Sequence, residues 1–211
     1  MRVSKAQSVV NRARVIEVAS ELFRTRGFDG VGLKEVMENA GLTQGGFYKQ
    51  FGSKSDLVAA ACDRAMKTTS RNLIDVASAA PEDPFGALID FYLSTEHRDQ
   101  VGQGCPVAAL GSDVSRSGDA VKASFEAGVK DRIGLIGELI AEFEGAQSPE
   151  KSLAIMSTMV GALLLSRTMK DADLSRKFLD SAAGEIRRLL QRSSQLPPQA
   201  KAFLDRSKGH K

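Results

Sequence analysis

The sequence predicts an all-α protein, with a small N-terminal domain of three helices followed by a larger helical bundle. Apolar residues recur at helical spacing along most of the chain, and the breaks in that spacing coincide with Gly, Pro, Ser or Asp residues that stop or cap helices. No stretch shows the alternation of apolar and polar residues expected of strands. With 211 residues, 42% of them hydrophobic, the chain can form one large or two small domains.

The first helix is predicted over residues 9–26, where Ile16, Ala19 and Phe23 share one face. Gly27 is expected to end it, because glycine readily adopts the conformation that closes a helix. Residues 1–8 are expected to be disordered and to form a short basic arm.

Two short helices joined by a tight turn are predicted in residues 33–51. Val36 and Met37 give the first helix its apolar face, and Gly41 can adopt the left-handed conformation that stops it. Thr43 is the predicted N-cap of the second helix.

The second of these helices has two different faces. Phe47 and Phe51 are predicted to point inward, which leaves Gln44, Tyr48 and Lys49 facing outward. A turn-held helix with an amide, a phenol and an ammonium on its outer face is typical of a helix-turn-helix.

Three motifs lie between Arg14 and Leu57, about a fifth of the chain. They read A-x-x-L-F-x-x-x-G-F from Ala19, A-G-L-T over residues 40–43, and G-F-Y-x-x-F-x-S-K-x-x-L over residues 46–57. With these motifs the segment resembles the N-terminal domain of the TetR/AcrR family of transcriptional repressors. It departs from the family pattern at Gly32, where Ser or Thr is usual, and at Gly52, where Pro is common.

The resemblance implies that this domain binds double-stranded DNA. Gln44 would contact base edges, with Gly45 allowing close approach, and most of the other residues would hold phosphates. For Arg12 a solvated surface position is an equal alternative, and for the glycine pair so is simple tolerance of a frayed first turn. The residues expected at the DNA are Arg12, Lys34, Thr43, Gln44, Gly45, Phe47, Tyr48, Lys49 and Lys54.

A long helix is predicted from Lys54 to about Ala79, capped by Ser53 and stopped before Pro81. In TetR-like proteins this helix links the DNA-binding domain to the body. Five further helices are predicted at residues 84–100, 106–117, 119–143, 149–169 and 173–193. The chain therefore divides into a DNA-binding domain (1–53), a ligand-binding and dimerisation domain (54–193) and a mobile basic tail (194–211), with one helical turn near residues 200–204.

Charge is distributed unevenly. Residues 1–55 carry nine Lys and Arg against five Asp and Glu, whereas residues 56–186 carry thirteen against twenty. A basic N-terminal domain on an acidic body suits a polyanionic partner. The absence of a secretory leader and the presence of only two cysteines predict a cytoplasmic protein, and the longest apolar run is too short to cross a membrane.

TetR-like bodies commonly enclose a cavity for a small, largely apolar effector. Flexible Met side chains beside aromatic rings suit an adaptable pocket, although most large apolar residues here are expected to be plain core. The residues expected at the effector are Cys105, Phe85, Tyr92, Phe125, Met156 and Met159.

Cys105 lies in the segment G-Q-G-C-P, at the predicted start of a helix. Unpaired amides at a helix start favour the nucleophilic thiolate form of a cysteine. The segment is similar to that of TetR-family members that sense electrophiles or oxidants. The alternative is a small buried hydrophobe at a tight turn. Cys62 is expected to be a packing residue.

The last two helices carry long apolar stripes, and a chain of this length is not expected to bury both. The resemblance implies that they pair with their copies in a homodimer. The residues expected at that interface are Leu153, Val160, Leu164, Ile186 and Leu190. Two-fold symmetry then predicts a palindromic operator.

The sequence as a whole predicts a homodimeric transcriptional repressor, without a cofactor, that is released from DNA by a small apolar or thiol-reactive effector. An activator of the same fold is an alternative. An enzyme is the remaining alternative, but there is no metal-binding His pair, no G-x-S-x-G and no G-x-x-x-x-G-K. His97 is expected to be exposed; a buried His97 facing a Ser or Cys would favour the enzyme.

Overall fold

The structure, a computed structural model, describes residues 4–194. Within them every regular element is helical, so the predicted all-α class is confirmed. The basic tail with its predicted turn at residues 200–204, and the first three residues of the predicted arm, lie outside the described residues. The elements are α1 (Lys5–Arg26), α2 (Leu33–Asn39), a 3-10 helix (Gln44–Lys49), α3 (Lys54–Ser78), α4 (Pro84–Tyr92), α5 (Thr95–Asp99), α6 (Pro106–Ser115), α7 (Asp119–Glu144), α8 (Pro149–Thr168) and α9 (Ala172–Ser194).

Helix α1 begins at Lys5, so the prediction of a disordered arm is wrong for residues 4–8. The cause is an N-cap that the sequence reading missed: the Ser4 hydroxyl accepts a hydrogen bond of 3.1 Å from the Gln7 amide. The predicted end is correct, since Gly27 has a φ of 73° and donates its amide to the Phe23 carbonyl.

The turn after α2 forms as predicted, with Gly41 at a φ of 70°. The following helix, Gln44–Lys49, is called the reading helix below. It is a 3-10 helix rather than an α-helix, and Thr43 stands at its N-cap position without a side-chain hydrogen bond to it. Two glycines in its first turn, Gly45 and Gly46, lower its helix propensity, which accounts for this irregular form.

Helix α3 runs through the molecule and joins its two parts. Ser53 caps it as predicted, because its hydroxyl accepts a hydrogen bond of 3.1 Å from the Asp56 amide. Helix α7 lies close against it at Gly128, where a Cβ atom would lie only 2.4 Å from Cγ of Met66. Only glycine permits this approach of the two helices.

The body helices lie close to their predicted positions, with one exception. The helix predicted over residues 84–100 is broken into α4 and α5. Ser94 causes the break, since its hydroxyl accepts from the His97 amide at 3.0 Å and donates to the Phe91 carbonyl at 2.8 Å. The new helix start turns His97 toward the interior.

The buried apolar residues form two clusters. The body core lies between the second half of α3 and helices α4, α7, α8 and α9. The head core holds α1, α2, the reading helix and the first half of α3, and α6 and the start of α7 complete it through Leu110, Val114, Val121 and Phe125. The N-terminal domain therefore rests directly on the body.

Candidate DNA interface and buried polar cluster

The reading helix presents the predicted outer face. Gln44, Tyr48 and Lys49 are exposed, and Tyr48 has 73% of its surface accessible. Phe47 is only 1% exposed and its ring stacks on that of Phe51, with 5.4 Å between centroids. Phe47 was among the residues expected at the DNA, and that prediction is wrong because its side chain anchors the helix in the head core. This anchoring fixes which face is turned outward.

Arg12 supports the reading helix from α1. Its guanidinium donates to the Gln50 carbonyl at the end of that helix and lies 4.1 Å from the centroid of the Phe51 ring. Arg12 is therefore half-buried, neither a simple solvated arginine nor a side chain free to meet a phosphate.

The remaining residues expected at the DNA are open to solvent or nearly so. Thr43 and Gly45 are exposed, and no atom would lie within 4 Å of a Cβ on Gly45. Lys34 is exposed and pairs with Glu38 at 3.8 Å. Lys54 is half-buried in the first turn of α3, where the helix end adds its partial positive charge.

A second set of polar side chains is buried in the body beside Cys105. Cys105 is the N-cap residue of α6 and is 1% exposed. Arg132 of α7, at 2% exposure, donates from Nη1 to Cys105 Sγ at 3.2 Å and from Nη2 to Thr69 Oγ1 at 2.6 Å. Its Nε has no partner, and among the described residues no carboxylate pairs with this guanidinium.

His97 is buried at 8% exposure, so the prediction of an exposed residue is wrong. Its Nδ1 lies 2.7 Å from the Tyr92 carbonyl, and its Nε2 accepts from the Cys105 amide at 3.0 Å. Burial lowers the pKa of His97, and nearby Arg167 and Arg132 act in the same direction. The neutral ring has both nitrogens engaged with the backbone, which leaves neither available as a general base for the enzyme alternative.

Two more guanidiniums hold the loop that precedes Cys105. Arg24 of α1 donates from Nη1 to the Gly104 carbonyl at 3.0 Å, and Arg167 of α8 donates to the carbonyls of His97 and Arg98. Burial lowers the pKa of both arginines. A Cβ on Gly104 would lie 2.9 Å from Arg167 Nη2, so the glycine admits this packing. The sequence reading assigned no role to Arg24, Arg132 or Arg167; the only signal was the unusual G-Q-G-C-P segment.

Two small cavities adjoin this cluster, with volumes of about 20 and 10 Å³. Leu73, Tyr92 and Arg132 line both of them. The first cavity also touches Cys105 and His97, and the second touches Leu88, Ile136, Met156 and Met159. A single water needs about 10–15 Å³, so neither holds a drug-sized molecule without rearrangement.

Four of the six residues expected at the effector line these cavities: Cys105, Tyr92, Met156 and Met159. The other two do not. Phe85 packs elsewhere in the body core and Phe125 belongs to the head core, where α7 meets the DNA-binding domain. Residue type alone had grouped aromatic rings that the fold places in different cores.

The predicted dimer interface divides into two groups. Leu153 and Leu164 of α8 are 52% and 46% exposed, and Val160 is half-buried between them. Ile186 and Leu190 of α9 are 0% and 6% exposed and belong to the chain's own core, so their assignment to an interface is wrong. Contrary to expectation, the chain buries the apolar stripe of α9 internally at Ala182, Ile186 and Leu190.

Within the part of the chain that the structure describes, no group of three or more His, Cys, Asp or Glu side chains could hold a metal ion. No helix in residues 4–194 has the length and apolar character needed to cross a membrane.

Comparison with known proteins agrees with the geometry of the N-terminal domain. The model of the family described as bacterial regulatory proteins, tetR family, matches residues 15–61. An HTH-type transcriptional regulator in the lacX 3' region of Lactococcus lactis is 22% identical over 80% of this chain and 89% of its own. The HTH-type regulator LmrA of Bacillus subtilis is 23% identical over 77% of this chain and 89% of its own.

The fold extends over both domains. The reduced form of Escherichia coli NemR superposes with a TM-score of 0.72 at 20% identity, covering 84% of this chain and 96% of that one. The family match covers the helix-turn-helix, whose outer face is exposed, and the rest of the described chain is a helical body. Residues 15–61 thus match the tetR family of bacterial regulatory proteins, and the chain as a whole has the fold of solved TetR-family regulators.

Proposed function

We propose that this protein is a homodimeric, ligand-responsive repressor that binds a palindromic operator. The observation that carries the proposal is the reading helix, whose Phe47 is locked in the core while Gln44, Tyr48 and Lys49 face solvent. A short helix held in this way can enter the major groove with its polar face toward the bases.

The polar residues have separate roles in this proposal. Gln44 offers an amide that can pair with a base edge, and Gly45 lets the backbone come close. Thr43, Tyr48, Lys49 and Lys54 surround it with hydroxyl and ammonium groups suited to phosphates. Lys54 adds its charge to the positive end of α3.

A mobility-shift assay on the DNA upstream of the protein's own gene tests the proposal. We expect specific retardation of that DNA, and its absence with the purified dimer would count heavily against an operator there. Lys54→Ala should weaken binding to all sequences alike, whereas Gln44→Ala should change base preference. Lys130→Ala is the control, since Lys130 is an exposed lysine of α7 that pairs with Glu126.

Dimerisation is proposed to use the exposed face of α8. Leu153, Leu164 and Leu165 are each more than 40% exposed, an unusual concentration of large apolar side chains on one helix. Two-fold packing of this face would bury the same residues on both copies and would present two reading helices to one operator.

The effector is proposed to bind in the body around Cys105 and Tyr92. The route to the DNA-binding domain is short, because Arg24 of α1 holds the carbonyl of Gly104, next to Cys105. An effector that favours a different placement of this loop would favour a different placement of α1 and the reading helix. Reporter expression with and without the regulator would distinguish repression from activation.

Reaction of Cys105 with an electrophile is the finer form of this proposal. Its support is the position of the thiol at the start of α6, against Arg132. Treating the protein and its Cys105→Ser variant with N-ethylmaleimide and measuring DNA binding tests it. We expect the variant to keep DNA binding after treatment; equal loss in both proteins would remove Cys105 from the mechanism.

A further inference from the structure

We propose that the two cavities around Arg132 and Tyr92 form the binding site for the carboxylate of a small acid with an apolar remainder, and that such an acid is the effector. The inference rests on the proposed function and names the chemical class of its ligand. It is carried by two buried polar atoms, Arg132 Nε and the Tyr92 hydroxyl oxygen, that have no hydrogen-bond partner among the described residues.

The first group is the guanidinium of Arg132. It is 2% exposed, and its hydrogen-bond partners are a hydroxyl and a sulfur. Among the described residues no carboxylate balances its charge. Its buried Nε–H has no acceptor among residues 4–194. An unpaired charge inside a protein is costly, and a bound ligand of opposite charge would offset that cost.

The second group is the hydroxyl of Tyr92. Tyr92 is also 2% exposed and lines both cavities together with Arg132. Its hydroxyl lies near Cys105 but makes no hydrogen bond of normal geometry to any described residue. Burial, and after it the neighbouring Cys105, raises the pKa of Tyr92 well above its ordinary range, so the hydroxyl keeps its proton and can donate.

The neighbouring side chains leave these two donors free. The Thr69 hydroxyl donates to the Ala65 carbonyl at 2.8 Å and accepts from Arg132. The neutral His97 ring has both nitrogens bonded to the backbone. A carboxylate would satisfy both groups. Its two oxygens can accept hydrogen bonds from Arg132 and Tyr92, and its negative charge can neutralise the guanidinium.

The second cavity determines the remainder of the ligand. Beyond Tyr92 and Arg132 its lining is apolar: Leu73, Leu88, Ile136, Met156 and Met159. Methionine side chains repack readily, so Met156 and Met159 can move to enlarge a cavity that is now about 10 Å³. The site therefore favours an acid with a short hydrocarbon or aromatic body over a polyanion.

Binding would also act on the loop that reaches the DNA-binding domain. Arg132 now donates to Cys105 at the start of α6, and the preceding residue, Gly104, is held by Arg24. A carboxylate that takes over a hydrogen bond of Arg132 competes with Cys105 and loosens this connection.

The test uses the full chain and two acids, benzoate and hexanoate, each compared with its neutral primary amide. Calorimetry measures binding and thermal unfolding measures the melting temperature, at matched ionic strength in chloride. We expect the acids to bind and raise the melting temperature and the amides to fail. Tyr92→Phe should weaken acid binding by about tenfold, as for loss of one hydrogen bond to a charged group. Arg132→Met should abolish it and Arg132→Lys should restore part of it. Arg116→Met, which alters the exposed arginine just after α6, should change nothing.

The inference is overturned if neither acid binds, if the amides bind as well as the acids, or if Arg132→Met binds acid as the natural protein does. Mobility shift of the operator with and without the acids separates this outcome from failure of the proposed function. A protein that binds acids but no DNA would refute the proposed function and the effector role, and would leave the acid-binding site in place. One that binds DNA and no acid would refute only this inference.

Discussion

A guanidinium moved from water into the centre of a helical bundle costs several kcal/mol unless an opposite charge accompanies it. At the scale of single residues this cost is concentrated at Arg132, whose partners in the bundle are Thr69 and Cys105. His97 meets the same environment differently, by staying neutral between two backbone groups. Each residue gives a stability prediction of its own.

Arg132→Met should stabilise the ligand-free protein by about 1–4 kcal/mol, the range found when buried ion pairs are replaced by apolar side chains, because here the buried charge has no carboxylate partner to lose. Thr69 keeps its hydrogen bond to the Ala65 carbonyl, so the substitution leaves that hydroxyl satisfied. Urea unfolding at one fixed protein concentration measures the change. Arg116→Met, on the surface, should stay within about 0.5 kcal/mol, and a loss of stability in Arg132→Met would show that its present hydrogen bonds outweigh its burial.

Stability should fall as the pH drops below 6.5, the ordinary pKa of histidine. The pKa of His97 is lowered in the folded state, so the unfolded chain takes up the proton first as the pH falls. The stability that the neutral His97 contributes therefore decreases between pH 6.5 and its lowered pKa, and does not change further below that pKa. The structural reason is that a protonated Nε2 would point its hydrogen at the Cys105 amide, which is itself a donor.

Melting curves over this pH range measure the effect, with His97→Asn as the comparison. The variant should be less stable at neutral pH and should show a flatter dependence on pH. An equal slope in both proteins would assign the acid sensitivity to other groups.

At the scale of elements, the reading helix is held by packing rather than by its own propensity. Gly45 and Gly46 begin it, no side chain caps it, and the burial of Phe47 and the contact of Arg12 with Gln50 fix its position. The two glycines differ in surroundings. A Cβ on Gly45 would meet nothing within 4 Å, whereas one on Gly46 would lie 3.6 Å from Met37 Cε, inside the domain.

Gly45→Ala should stabilise the domain by about 0.5–1 kcal/mol, because alanine favours the helix, and should weaken operator binding, because its methyl group stands on the surface proposed to approach DNA. Gly46→Ala is the matched control: it should have a similar effect on stability but leave DNA binding unchanged. Thermal unfolding and mobility shift measure the two quantities. Unchanged DNA binding in Gly45→Ala would mean that the glycine is only tolerated there.

At the scale of the whole molecule, the two cores meet along α3, α6 and the start of α7. The hydrogen bond from Arg24 to Gly104 joins residues 80 positions apart and connects α1 directly to the polar cluster. The body is thus linked to α1 by a defined contact as well as by the long α3, and the proposed effector response would use both.

Leu164→Glu should prevent dimerisation if α8 forms the interface, since two carboxylates would face each other across the two-fold axis. Sedimentation velocity measures the association state, and mobility shift compares a palindromic operator with a single half-site. We expect affinity for the palindrome to fall to that for the half-site. Ile74→Glu, which changes a residue of α3 that is 47% exposed, is the control, and a Leu164→Glu protein that is still dimeric would place the interface elsewhere.

The sequence by itself determined the features that local rules govern. Helical spacing and stop signals located most helices, Gly41 located the turn, and the two faces of residues 44–51 followed from the positions of Phe47 and Phe51. The errors of detail, such as the start at Lys5 and the break at Ser94, came from caps made by a single serine hydroxyl.

The tertiary structure alone decided the chemistry of the body and which stripe is free for a partner. Arg132 reaches Thr69 across 63 positions and Arg24 reaches Gly104 across 80, and no periodicity in the chain encodes such contacts. Likewise Ile186 and Leu164 look alike in sequence, but one is buried and the other exposed. The physical reason is that burial and charge pairing depend on which helices pack together, whereas helix formation depends on neighbours within a few residues.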